Sequence, residues 1–126
     1  MWSFLLRMKY SESLKKNGDF RRVYQTGRSF ANKYLVMYVR KNGLERNRIG
    51  ISVSKKVGNS VVRHHLTRLI REGYRLHEEE YCTGTDIVVV ARVNARDCAY
   101  AEIERAMQHL ASKHHLLEVK HENCSD

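Results

Sequence analysis

The sequence predicts an α/β fold of the α+β sandwich kind. A small mixed sheet of about four strands is packed with three helices, in the order α-β-β-(β)-α-β-α. Three observations lead there. Arg48 to Ser54 alternates apolar and polar residues, which marks a half-buried strand. Ile87 to Ala91 is an unbroken apolar run bounded by turn residues, which marks a strand buried on both faces. Between them, residues 60–80 place apolar side chains at helical spacing. The chain has 126 residues, 42% of them hydrophobic, which fits one domain over residues 1–126 with a core that needs no disulfides.

Residues 1–12 read as an N-terminal arm. Asn17 is a candidate N-cap for a short helix to about Gln25, stopped by Gly27. On that helix Phe20, Val23 and Tyr24 share one apolar-aromatic face. An extra short strand fits near residues 28–33. Tyr34 to Arg40 is rich in β-branched and aromatic residues and reads as a strand, followed by a turn at Asn42-Gly43. In the strand from Arg48 to Ser54, Ile49, Ile51 and Val53 point one way, and Arg48, Gly50, Ser52 and Ser54 form a polar face. Asn59 caps a long helix to about Glu80. Thr83-Gly84-Thr85 is a turn, and the strand from Ile87 to Arg92 follows. The last helix runs from about Tyr100 to Leu117, and residues 118–126 read as a flexible tail. The strand-helix-strand unit from Arg48 to Arg92 implies a parallel pair, right-handed by general preference.

Charge narrows the function. The formal net charge is +9, but residues 1–76 carry +14 and residues 77–126 carry −5. That polarity produces a one-sided field that attracts polyanions. No apolar run approaches the roughly 20 residues of a membrane-spanning helix. The basic helix needs its apolar face for the core, so a membrane partner is not expected. Three widely spaced cysteines (Cys82, Cys98, Cys124) argue against a disulfide framework and suit a reducing, cytoplasmic setting.

The long helix carries the clearest signal. At 100° per residue, Arg68, Arg71 and Arg75 all fall within about 40° of His64. Val62, Leu66, Leu69, Ile70, Gly73 and Leu76 lie on the opposite side. Glu72 flanks the cationic stripe and no acid lies within it. Solvated helix faces usually mix charge signs, so an all-cationic stripe points to a phosphate backbone, which guanidinium forks match in geometry. Just before this helix, Lys55-Lys56-Val57-Gly58-Asn59 brings two lysines to a helix N-terminus, a further anion-binding feature.

Catalytic patterns are missing. The histidines form no HExxH pattern and no i, i+4 pair, the cysteines form no CxxC, and no nucleotide P-loop is present. No catalytic residue and no metal site are expected of the protein itself.

The segment Lys55-Lys56-Val57-Gly58-Asn59-Ser60-Val61-Val62-Arg63-His64-His65-Leu66-Thr67-Arg68-Leu69-Ile70-Arg71 resembles the signature of the bacterial ribonuclease P protein family, close to K-K-x-G-x-A-V-x-R-N-x-x-K-R-x-x-R. Leu14-Lys15-Lys16-Asn17, Asp19-Phe20, Gly27 to Asn32 (GRSFAN), Arg48 to Ser54, and Asp86-Ile87 through Ala91-Arg92 agree in order and spacing. The resemblance covers about residues 13–116. It implies a protein that does not itself cut RNA: a Mg²⁺-dependent RNA subunit removes the 5′ leader of precursor tRNA, and the protein binds that RNA and the leader. It also implies that Lys55, Lys56, Gly58, Asn59, Arg63, Arg68 and Arg71 face the catalytic RNA, where His64 and Arg75 of the cationic stripe join them. Phe20 and Tyr38 match aromatic positions of a leader cleft. Ser52 and Ser54 are added from the polar strand face. The family's crossover is left-handed, which replaces the general right-handed preference. The sequence departs from the family at His64-His65 and at Thr67, where two cations weaken to an imidazole and a hydroxyl. The competing reading is a free-standing RNA-binding or ribosome-associated module using the same stripe.

Overall fold

The computed structural model describes residues 11–117. Its elements are β1 (Ser11–Ser13), α1 (Asn17–Thr26), β2 (Arg28–Ala31), β3 (Leu35–Lys41), β4 (Asn47–Ser52), α2 (Ser60–Arg75), β5 (Thr85–Ala91) and α3 (Tyr100–Lys113). The strands form one mixed sheet in the order β1-β4-β5-β3-β2. β4 runs parallel to both β1 and β5, as the strand-helix-strand unit requires, while β3 is antiparallel to β5 and β2.

The sheet therefore has five strands rather than about four. β2 is the short strand expected near residues 28–33. β1 lies in the segment whose sequence suggests an arm, yet Ser11 pairs with Asn47 and Glu12 with Arg48. Its Ser-Glu-Ser sequence carries no apolar alternation, because this edge pairing rests on backbone hydrogen bonds. Leu14, buried at 6% exposure, anchors the chain just beyond it. Residues 1–10 of the arm and the tail from 118 to 126 lie outside the described residues.

Side-chain alternation divides the sheet into two faces. Leu35, Met37, Ile49, Ile87, Val89 and Ala91 pack with Leu66, Ile70 and Tyr74 of α2 and Ile103, Met107 and Leu110 of α3. On the other face Val88 packs with Leu14 and with Val23 of α1, and Phe20, Tyr38 and Val90 lie half-buried around them. β5 is thus covered from both sides, which is why its sequence lacks polar alternation.

Helix ends show where local signals were overridden. α1 begins at Asn17 with Lys16 at the cap position and no side-chain cap, so Asn17 opens the helix instead of capping it. The Lys16 carbonyl accepts the Asp19 and Phe20 amides, and Asp19 complements the positive helix end. Asn59 does cap α2, accepting the Val62 amide at 3.0 Å. α2 stops at Arg75, short of Glu80, because three consecutive carboxylates would sit unfavourably at a helix C-terminus. Glu78–Glu80 forms a separate 3₁₀ turn, and Leu76, expected in the core, is 55% exposed. α3 ends at Lys113, short of Leu117. His115 adopts φ +60°, its amide bonds to the Ser112 carbonyl, and the Leu116 amide returns to Ala111 at 2.9 Å. This αL reversal buries Leu116 and leaves Leu117 half-buried.

Two polar connections tie the layers together. Asn47 is buried; its Nδ2 donates to the Cys82 carbonyl at 2.8 Å, and its Oδ1 accepts the Thr85 amide and hydroxyl at 2.9 and 2.8 Å. His77 bridges Glu80 and Glu104, with 2.7 Å from Nδ1 to Glu80 Oε2 and 2.7 Å from Nε2 to Glu104 Oε2. Cys98 is a free, buried thiol, whereas Cys82 is disulfide-bonded, so the expectation of unpaired cysteines fails at that position.

Candidate nucleic-acid interface

α2 lays Leu66, Ile70, Gly73 and Tyr74 against the core, so its opposite side must face outward. That side exposes Val61, His64, His65 and Arg68. Arg71 and Arg63 lie half-buried along one flank. The Nε atoms of Arg63 and Arg71 are buried and have no hydrogen-bond partner. Among the described residues, neither side chain forms an ion pair.

Arg75 departs from the expected stripe. Its Nε and Nη2 donate to Glu72 Oε1 and Oε2, both at 3.0 Å, and this carboxylate pair is the main reason its pKa is raised. The helical wheel set Glu72 to one side of the stripe, but an i, i+3 pair is within reach on a helix surface. Arg75 is therefore neutralised within the molecule. Thr67, where the family pattern has lysine, donates its hydroxyl to the Arg63 carbonyl at 2.8 Å and does not project outward.

The loop entering α2 presents Lys55 and Lys56 to solvent while Val57 plugs into the core at 1% exposure. Gly58 is fixed by contact: a Cβ there would meet Val62 Cγ1 at 2.7 Å. Because Ser52 ends β4 and Ser54 is exposed just beyond, the polar strand face runs directly into this lysine loop.

The second part of the interface lies between α1 and the sheet. Register places Tyr38, Val88 and Gly50 side by side across β3, β5 and β4. Phe20 from α1 sits directly over Gly50, so close that a Cβ on residue 50 would lie 2.5 Å from Phe20 Cζ. Tyr24 meets Tyr38 edge-on, with ring centroids 5.0 Å apart. The next row, Val36, Val90 and Ser52, is half-buried. Together these form a groove with an aromatic wall, a partly apolar floor and a serine rim. Arg48, at the other end of the polar face, is gripped by buried Asp86 through bonds of 2.8 and 2.7 Å and lies 3.7 Å from Asp19 of α1. Donation to the Asp86 carboxylate raises the Arg48 pKa, and the Asp19 contact fastens α1 to the sheet.

The structure thus gathers Phe20, Tyr38 and Ser52 in one groove, with Ser54 at its exit, and Lys55, Lys56, Gly58, Asn59, Arg63, His64, Arg68 and Arg71 along the neighbouring loop and helix. It also brings in Tyr24, Val36 and Val90, which were not assigned as site residues. Tyr24 follows Phe20 by one helical turn and Val36 shares a strand face with Tyr38, but only the β3–β5 register brings Val90 beside them. Among the described residues, no group of three His, Cys, Asp or Glu side chains could hold a metal ion.

A basic helix rim continuous with an aromatic-walled groove defines an RNA-binding α+β protein. The chain belongs to the ribonuclease P protein family, whose model matches residues 8–115. It is 59% identical over 107 residues to the ribonuclease P protein component of Lachnoclostridium phytofermentans, covering 85% of this chain and 92% of that protein. It is 54% identical over 110 residues to that of Alkaliphilus metalliredigens, covering 87% and 99%. The solved structure of the Staphylococcus aureus RNase P protein superposes with a TM-score of 0.78 at 38% identity, covering 83% of this chain and 96% of that one. That of Thermotoga maritima gives 0.74 at 28% identity, covering 86% and 98%.

Proposed function

We infer that this chain is the protein subunit of ribonuclease P, which binds the catalytic RNA and the 5′ leader of precursor tRNA and assists removal of that leader. In this reading the RNA subunit, with its bound Mg²⁺, hydrolyses the phosphodiester. The protein supplies cationic and aromatic surface and no reacting group. Lys55, Lys56, Gly58, Asn59, Arg63, His64, Arg68 and Arg71 meet the folded RNA, while Phe20, Tyr38, Ser52 and Ser54 hold the single-stranded leader.

The observation that carries this reading is the cationic outer side of α2, where Arg63, His64, Arg68 and Arg71 lie together and, among the described residues, Arg63 and Arg71 form no ion pair. The groove beside them supports the second half of the reading, since a single strand is held by a basic track plus aromatic stacking worth about 1–3 kcal/mol per base. A cytoplasmic location fits a protein in which, among the described residues, no helix is long and apolar enough to cross a membrane.

The test adds purified protein to precursor tRNA, with and without the cognate catalytic RNA, at low Mg²⁺. The expected result is no cleavage by protein alone and faster cleavage when protein joins the RNA. Cleavage without the RNA would mark an autonomous nuclease. No effect on RNA-driven cleavage would mark a general RNA-binding or ribosome-associated module.

A further inference from the structure

We propose a second RNA-contacting surface along the edge formed by β2 and α3, separate from both the α2 rim and the leader groove; it rests on the RNA-binding reading above. β2 is the last strand on the side of the sheet opposite β1 and β4, and α3 packs beneath β2 and β3. α2 lies over β4, on the other side of α3 from this edge's strands.

Five exposed basic or imidazole side chains meet on this edge: Arg28 from β2, Lys33 from the turn after it, and Arg105, His109 and Lys113 from α3. The last three recur at i, i+4 and i+8, so they form one stripe along the helix, at steps of roughly 6 Å. None of Arg28, Lys33, Arg105 or Lys113 forms an ion pair among the described residues. Two acids flank the edge, Glu102 facing Arg105 and Lys33 and Glu104 facing Arg105, but both carboxylates also accept hydrogen bonds within the molecule. Glu102 accepts the Ala99 amide at 3.0 Å and the Tyr34 hydroxyl at 3.3 Å.

The arrangement also contains rings. Phe30 lies between two cations, with Arg28 Cζ 6.0 Å and Lys113 Nζ 5.6 Å from its ring centroid. Lys33 Nζ stands 5.4 Å from the centroid of Tyr34. Cation–π contacts hold the long cationic side chains near the surface and reduce the entropy lost when they bind. Next to them Asn32, Lys33, Tyr34, Glu102, Arg105 and His109 line a shallow groove of about 220 Å³. Converging cations, aromatic supports and a groove match a phosphodiester chain better than an isolated anion.

Sequence order hid this surface. Arg105 and Lys113 belong to the stretch with a net charge of −5, and only the packing of α3 under β2 brings them to Arg28 and Lys33.

The experiment is lysine acetylation footprinting read by mass spectrometry on three samples: free protein, protein with catalytic RNA, and that complex with precursor tRNA. Protection of Lys33 and Lys113 by the catalytic RNA alone places the contact on that RNA; protection appearing only with precursor tRNA places it on the substrate. Either result supports the proposal. Lys55 and Lys56 serve as an internal reference for the primary interface. If they are protected while Lys33 and Lys113 react as in free protein in both complexes, this proposal fails and the RNA-binding reading stands. If all four lysines stay reactive, the RNA-binding reading itself fails. As a second measurement, the Lys33→Gln, Arg105→Gln, Lys113→Gln triple variant should lower the log-log salt slope of RNA binding by about 2 to 3. An unchanged slope would overturn the proposal.

Discussion

Gly50→Ala is the perturbation that most sharply separates the groove from the rest of the molecule. Residue 50 lies on β4 beneath Phe20, and an added Cβ would stand 2.5 Å from Phe20 Cζ, 2.7 Å from Phe20 Cε1 and 3.2 Å from Leu14 Cβ. Phe20 is half-buried at the groove edge, so it can swing outward to relieve the clash. Overpacking of this kind costs about 1–3 kcal/mol, while replacing a strand glycine returns about 0.5–1 kcal/mol of backbone entropy. The expected net loss is about 1 kcal/mol in denaturant unfolding. Displacing the ring also removes one stacking platform. At about 1–3 kcal/mol per base, the holoenzyme should bind leader-bearing precursor tRNA roughly 5- to 150-fold more weakly. Binding of leaderless tRNA should not change. The control is the double variant with Phe20→Ala, which removes the two closest atoms the added methyl would meet, so that most of the stability cost should disappear. An equal cost in both backgrounds, or equal weakening for leaderless tRNA, would refute the reasoning.

Other residues give independent predictions. Glu72→Gln frees Arg75 from its carboxylate pair, so the log-log salt slope for RNA binding should steepen by up to about 0.7–0.9, with at most about 1 kcal/mol lost in stability. Asn47→Ala orphans the Thr85 amide, the Thr85 hydroxyl and the Cys82 carbonyl; unfolding free energy should fall by about 3 kcal/mol. The His77 bridge predicts a pH profile. Burial by itself lowers the His77 pKa, but hydrogen bonds to Glu104 and Glu80 outweigh it and the net shift is upward. Its contribution to stability is therefore complete below the unfolded-state value of about 6.5 and is lost as pH rises through the raised folded value. The Glu104 carboxyl is held below its ordinary range chiefly by His77, so its contribution is lost as pH falls through that lowered value. Melting temperature followed across pH should decline on both sides, and His77→Gln should flatten the alkaline decline.

Much of this molecule could be read along the chain because the informative patterns are local. The Ile49-Ile51-Val53 alternation, the apolar run in β5 and the Asn59 cap each arise from residues within a few positions of one another. The elements that escaped have causes distant in sequence. β1 forms because its backbone meets an open edge of β4, not because Ser11 to Ser13 prefer a strand. The end of α2 depends on acids beyond it and on His77 reaching Glu104 in α3. In the interface, the lysine loop and His64, Arg68 and Arg71 of the helix rim were legible from spacing, and Arg63 and the aromatics Phe20 and Tyr38 from family resemblance. The loss of Arg75 to Glu72 is a rotamer choice that a helical wheel does not decide. The groove floor at Val36 and Val90 depends on a β3–β5 pairing that spans more than fifty residues.

The central claim is that Arg63 and Arg71 on α2 grip the phosphates of a folded catalytic RNA. Its most direct test is the affinity of wild-type protein and of the Arg63→Ala, Arg71→Ala double variant for that RNA across about 50 to 200 mM monovalent salt. Each arginine should account for about 0.7–0.9 of the log-log slope, so the double variant should be shallower by about 1.4 to 1.8. A double variant with the wild-type slope and wild-type affinity would contradict the account.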